Sequence, residues 1–288
     1  MRQSLLPKFA LLGALVLLTT GFSFKDFTPE RIDAITSTVK SIGKATREIT
    51  DDEEYYIGRA VAARMTATYP LYRNSRQTEY LNQIGQILAL HSEKPTTFGG
   101  YHFAILDTAE INAFACPGGI ILITRGMLES VKSEEELAAV LAHEIGHIIH
   151  RDGIAAISSS RWSEALLVIG SSAAKEFGPK DTAKLVSLFE GSIDDVVKTL
   201  VVNGYGRDQE LAADAAALKF MAAAGYDPTG LTGYLKRLEE AGKGSKGGIM
   251  TTHPGTGDRL EKVADAGVPE VDTASVPVRS KRFAAMFR

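Results

Sequence analysis

Apolar positions recur at helical spacing along most of this chain, interrupted by a few short continuous runs. Ile32, Ile35, Val39, Ile42 and Ile49 share one helix face, behind Thr28 as cap and Pro29 in the first turn. The acidic run at residues 51–54 opens a second predicted helix to about residue 68, and residues 79–91 form a third. Ser133 followed by Glu136 has the form of a capping box, and Leu137, Val140, Leu141 and Ile145 then make an apolar stripe. That helix is expected to close through the cationic turn His150-Arg151 and a glycine stop at Asp152-Gly153. An alanine-rich helix opens at Asp208, continues through Ala217 to Met221 and stops at Gly225-Tyr226-Asp227-Pro228. Asp227-Pro228 caps another, with Leu231, Tyr234, Leu235 and Leu238 as its buried stripe. Residues 103–106 and 120–124 are short apolar runs of strand character. The pattern predicts a mainly helical α+β fold with a small β-sheet.

The two ends differ in character. Arg2 and Lys8 lead into an apolar run at residues 9–18 and then Thr19-Thr20-Gly21, the layout of a secretory signal. The run is shorter than the roughly 17–25 residues of a spanning helix. Residues 1–21 are therefore expected to be a signal peptide directing export to a bacterial periplasm, with an uncleaved inner-membrane anchor as the alternative. Residues 22–50 follow as an N-terminal helical segment, 51–267 as the main domain and 268–288 as a C-terminal tail. The tail carries Arg279, Lys281, Arg282 and Arg288 among Phe283, Met286 and Phe287. It is expected to fray, with contact to a membrane or envelope-assembly partner as the alternative. Residues 242–248 form a glycine-rich loop.

Composition narrows the function classes. With 44% hydrophobic and 23% charged residues in 288, the chain has room for one substantial core. Thirty-two basic residues against 35 acidic ones give −3, which offers nothing to nucleic acid. The single cysteine, Cys116, excludes an intrachain disulfide framework and fits a small filler.

The chemistry lies in His143-Glu144-Ile145-Gly146-His147. Positions four apart share a helix face, so both imidazoles reach one Zn2+ ion at about 2.0–2.1 Å. Glu144 is turned off that face, placed to take a proton from a metal-activated water. Downstream, Glu210 and Asp214 repeat the four-residue spacing on an otherwise apolar helix, where paired like charges need a cation between them. Glu210 is the expected third ligand. Asp214 is the expected acceptor for the free N–H of a ligating histidine. Three protein ligands leave one position open, the pattern of a catalytic rather than a structural zinc site.

H-E-x-x-H joined to a downstream E-x-x-x-D resembles the gluzincin metallopeptidases. The surrounding sequence is similar to the branch that holds the HtpX-like heat-shock proteases, the CAAX prenyl endopeptidases and periplasmic quality-control proteases. Matching segments are residues 112–119, the His143 helix, the Glu210 helix, and Thr252-His253-Pro254 followed by Arg259, within a resemblance from about residue 52 to about residue 267. Asp152 departs from it, since many relatives carry a histidine there, and no effect on catalysis is expected.

The resemblance implies a zincin-like metallopeptidase domain at 51–267, its metal helix packed beside a small sheet, with one Zn2+ per chain and polypeptide substrates. It implies that Asn112, Ala113 and Phe114 form an exposed edge that holds substrate as an added strand, and that Gly118-Gly119 turns past the metal cleft. Residues 161–202 become a helical hairpin or lid. His253 enters the site, either stabilising the oxyanion or plugging the fourth zinc position, and Arg259 braces it. The implied activity is zinc endopeptidase cleavage of misfolded or misassembled envelope proteins. Two rivals stand beside it. A deformylase-like hydrolase would use Cys116 as a ligand but leave Glu210 idle. A latent metalloprotease would act mainly as a periplasmic chaperone or binding module.

Overall fold

A computed structural model of the protein describes residues 49–157, 190–242, 249–267 and 269–287. The expected signal, the first predicted helix, most of the expected lid and loop residues 243–248 lie outside the described residues. The chain runs α1 (Asp51–Thr68), α2 (Ser75–Leu90), β1 (His102–Leu106), β2 (Ala113–Cys116), β3 (Ile120–Thr124), α3 (Arg125–Ser130), α4 (Glu134–His150) and α5 (Asp152–Ala155). It continues with α6 (Glu190–Lys198), a π-helical turn (Thr199–Asn203), α7 (Arg207–Ala223), α8 (Thr229–Gly242), α9 (Ile249–Thr252), α10 (Thr256–Ala266) and α11 (Val276–Phe287). Among the described residues no helix is long and apolar enough to cross a membrane.

Local chemistry sets the boundaries. Glu53 accepts the Thr50 N–H at 2.9 Å, closing a capping box on α1. Asn74 caps α2 by accepting from Gln77 N at 3.1 Å, so this helix starts four residues before the predicted Glu79. Ser133 accepts from Glu136 N at 3.1 Å as expected, but the Glu136 carboxylate turns to Lys132 N at 2.7 Å instead of completing the box. The stop of α4 also differs from expectation. Arg151, not Gly153, takes the left-handed conformation, at φ 59°. Gly153 lies inside α5, where a Cβ would press on Pro117 at 3.1 Å.

The sheet has the order β1-β3-β2, with β1 parallel and β2 antiparallel to β3. Alternation along the strands divides the core in two. Phe103, Ile105, Ala113, Ala115, Ile121 and Ile123 join the stripes of α2 and α4. Leu106, Phe114, Cys116 and Leu122 join Ile57, Val61 and Met65 of α1 and Ile193 and Val196 of α6. Both faces are covered, so the strands appear in sequence as apolar runs rather than as an alternation. The fold is mainly helical with a small sheet and α4 against β2, in agreement with the expected class.

The C-terminal segment corrects the expectation of a frayed basic end. Arg279 and Phe283 are buried in α11, four residues apart on one face. Arg279 Nε donates to Glu135 at 2.6 Å, and Arg282 pairs with Glu134, itself bound by the hydroxyls of Tyr80 (2.5 Å) and Tyr226 (3.0 Å). These glutamates open α4, where the helix dipole favours negative charge. What looks like a loose cationic tail is the counter-charge to a buried helix start.

Packing of α4 on α7 positions the chemistry. Gly146 lies between the two motif histidines and Ala213 between Glu210 and Asp214. A Cβ built on Gly146 would stand 3.0 Å from Ala213 Cα and 3.1 Å from its carbonyl oxygen. Glycine is needed for this close approach. Gly146→Ala should therefore overpack the contact and lower unfolding stability by about 1–3 kcal/mol. Thermal unfolding measures it, and an unchanged or raised midpoint would show that the helices need not meet so closely.

Candidate metal centre

α4 aims two imidazoles at one point. The Nε2 atoms of His143 and His147 are 3.1 Å apart, with rings nearly perpendicular at 88°. α7 brings Glu210 between them, its Oε2 3.4 Å from His143 Nε2 and its Oε1 3.4 Å from His147 Nε2. A fourth side chain enters from the turn after α9. His253 Nδ1 lies 3.0 Å from Glu210 Oε1 and 3.3 Å from His143 Nε2. The four donor atoms all lie within 4.8 Å of one another, and all four residues are buried. Tetrahedral ligands at about 2.0–2.1 Å from zinc stand about 3.3 Å apart. The donor set and its spacing fit that ion.

His143, His147 and Glu210 are each held from behind. His143 Nδ1 lies 2.9 Å from Asp214 Oδ1. Arg259 Nε and Nη2 donate to the two Asp214 oxygens at 2.7 Å each, and its Nη1 lies 2.7 Å from Glu210 Oε2. The structure thus places Asp214 beside His143, and Arg259 against both Asp214 and Glu210. His147 Nδ1 lies 2.7 Å from Asp152 Oδ2, and Asp152 Oδ1 accepts from Gln209 Nε2 at 2.8 Å. The His147 ring also stacks on Tyr205 at 4.1 Å between centroids. Glu144 is buried beside the cluster, its Oε1 3.7 Å from His253 Nε2 and its Oε2 without a hydrogen-bond partner among the described residues.

The electrostatics follow from this crowding. Burial and the Arg259 charge pull the His143 pKa down, but hydrogen bonds to Asp214 and Glu210 outweigh them and hold it at about 9. Burial opposes ionisation of Glu210, yet its contacts with His253, His143 and His147 keep its pKa well below the ordinary range. For Asp214 burial is likewise overcome, by Arg259 first, leaving its pKa at about 2. Burial pushes the Cys116 thiol up, and Cys116 is absent from the donor cluster. The deformylase-like arrangement thus loses its cysteine ligand.

The expected substrate strand needs correction in one respect. β2 is the terminal strand of the sheet, but Asn112, Ala113 and Phe114 are each 1% exposed rather than forming an open edge. Phe114 stacks on Tyr69 at 6.2 Å, while Ala113 belongs to the core beneath α4. The turn at α9 covers the approach: Ile249 N donates to Ile111 O at 3.0 Å, and Thr252 Oγ1 to Asn112 Oδ1 at 3.1 Å. Gly118 and Gly119, at φ 76° and 102°, turn against Tyr55 and Thr97 rather than against the metal side chains.

Sequence reasoning passed over Gln209 and Tyr205, and it noted Asp152 only as a departure from the family pattern without placing it beside His147. None lies at helical spacing from a motif residue on an unbroken helix, which is the signal that exposed the others. His91, His102 and His150 stay outside the cluster among the described residues.

Several known proteins are similar to parts of this chain. The chain is 27% identical over 214 residues to a beta-barrel assembly-enhancing protease of Yersinia pestis, covering 73% of this chain and 43% of that protein. Its Escherichia coli K12 counterpart is 24% identical over 210 residues, covering 72% and 42%. The mitochondrial metalloendopeptidase OMA1 of Arabidopsis thaliana is 29% identical over 170 residues, covering 58% and 31%. The chain thus spans less than half the length of each of these relatives. Residues 75–266, from the start of α2 to the end of α10, match the peptidase family M48, and the chain belongs to that family.

Proposed function

We propose that this protein is a zinc-dependent endopeptidase whose resting state is plugged by His253. The observation that carries the reading is the buried convergence of His143, His147, Glu210 and His253 at zinc-ligand spacing. His143, His147 and Glu210 would hold the ion. When bound, zinc supplies a lowered pKa for a water and polarisation of the scissile carbonyl. Glu144, with a buried oxygen lacking a partner among the described residues, takes the proton of the attacking water and returns it to the leaving amine. Asp214 orients His143 and Arg259 holds Asp214. Main-chain pairing along Asn112, Ala113 and Phe114 holds the substrate once the α9 turn withdraws.

The placement of His253 supports the plug over oxyanion stabilisation, because its Nδ1 sits among the ligand atoms where the open corner is required. The same placement supports latency, so the second reading is a latent protease acting mainly as a chaperone or binding module. The two similar proteins named for enhancing beta-barrel assembly support misfolded or misassembled envelope proteins as substrates. They also support envelope-assembly partners. The basic and apolar opening of the chain supports export to a periplasm.

Three measurements test this. Glu144→Gln should cut casein hydrolysis by at least 10²–10⁴-fold while zinc content stays at one per chain; wild-type turnover in that variant rules out the general base. His253→Ala should raise basal, chelator-sensitive proteolysis. Lost turnover with normal zinc would instead assign His253 to the transition state, and no cleavage by any form despite bound zinc would favour the chaperone reading. Finally, His143, at about 9, is protonated at pH 7 in metal-free protein, and zinc accepts only neutral imidazole. Zinc uptake at pH 7 should release protons into an indicator solution, with affinity weakening about tenfold for each unit the pH is lowered per displaced proton. A pH-independent affinity between 6 and 8 would contradict it.

A further inference from the structure

We infer that Asp152 and Gln209 form a hydrogen-bonded strut that sets the His147 ring and the start of α7 at their metal-holding separation. The inference rests on the zinc-site reading and adds to it two positioning residues that belong to neither the ligand set nor the proton-transfer step.

Asp152 follows His147 by five residues. On an unbroken helix that spacing is roughly 140° around the axis, so the carboxylate would point away from the ring. The helix is broken, however, by Arg151 at φ 59° and ψ 33°, the one positive-φ residue other than glycine among the described residues. Side chains rarely adopt this region, and a bulky one does so where its surroundings impose it. Here Arg151 Nη2 donates to Ile49 O at 2.7 Å and its Nε lies 2.9 Å from Glu54 Oε2. The turn folds buried Asp152 back beneath the imidazole, with Oδ2 at 2.7 Å from His147 Nδ1.

The other Asp152 oxygen continues the line. Gln209 Nε2 donates to Oδ1 at 2.8 Å, and Gln209 Oε1 accepts the Gly206 N–H at 2.9 Å where α7 begins. Glu210 is the next residue. A chain of three hydrogen bonds therefore runs from the ring of His147 to the backbone that presents Glu210. An imidazole that donates Nδ1–H to a carboxylate has its Nε2 lone pair and its rotation fixed for a metal. Asp214 does this for His143, and Asp152 does it for His147. Because Gln209 grips Asp152 through one donor, the direction of every bond is determined: exchanging donor for acceptor at one position has to be matched at the other.

That directionality supplies the test, made on full-length protein by chelator competition for zinc, with circular dichroism confirming folding. Asp152→Ala should weaken zinc affinity about 10–100-fold. Asp152→Asn sets two amide donors against each other and should lose at least tenfold. Asp152→Asn combined with Gln209→Glu restores a donor facing an acceptor and should recover to within about threefold of wild type, an outcome that loss of packing alone would not produce. Wild-type affinity in Asp152→Ala, or a double variant no better than Asp152→Asn, overturns the strut. If Asp152→Ala does not fold, the isosteric pair decides alone. Wild-type protein that binds no zinc overturns the zinc-site reading and the strut with it, whereas normal wild-type binding undisturbed by these variants overturns the strut only.

Discussion

Four carboxylates, from Glu144, Asp152, Glu210 and Asp214, are buried around the same pair of imidazoles, and the guanidinium of Arg259 reaches only two of them. Unpaired charge in an interior is costly enough that groups are neutralised, paired or bound to a cation. The excess of negative charge is the constraint on which the rest of the site depends. It favours protonated imidazoles when no metal is bound, it suits a divalent ion, and it gives an incoming histidine a reason to be there. His253 lies on Glu210 in that setting, so its position draws on the same surplus as the paired imidazoles.

Much of the site was legible because helices convert spacing into direction. His143 and His147, then Glu210 and Asp214, each stand four apart, and the structure brings these pairs together as α4 and α7 meet at Gly146 and Ala213. Whether each plays its assigned role is a separate, chemical question. β1 and β3 were legible as apolar runs, whereas β2 was not read as a buried strand of the sheet. Its cover comes from Tyr69, α4 and the α9 turn, none of which adjoins it in sequence. The partners of Asp152 were illegible for a different reason: the helix stop was expected at Asp152-Gly153, but periodicity does not show where a left-handed Arg151 sends the side chain that follows it. Tyr205 was hidden likewise, since it precedes the first turn of α7 and reaches His147 by stacking.

The turn that carries His253 is attached at three places, through Ile249 to Ile111, through Thr252 to Asn112, and through the Thr252 carbonyl to the Tyr205 N–H at 3.0 Å. Two of these attachments use the residues just before β2, and the third uses the approach to α7. Net hydrogen-bond contributions of about 0.5–1.5 kcal/mol each make such a turn firm at rest yet within reach of a competing ligand. An extended peptide laid along β2 would compete for the Ile111 carbonyl. Occupation of that edge and retention of the histidine would thereby exclude one another on one small surface.

The docking of α11 on the start of α4 has a consequence for how this fold can be divided. Glu135 is buried, and its guanidinium partner, Arg279, lies some 140 residues away in the chain. Stripping one partner from such a pair costs about 3–5 kcal/mol, a large share of a typical domain's total. A catalytic core cut at the end of α10 would therefore keep every ligand candidate and still lose the anchor of the helix that bears them. The family match ends at residue 266, but the folded unit reaches at least to Phe287.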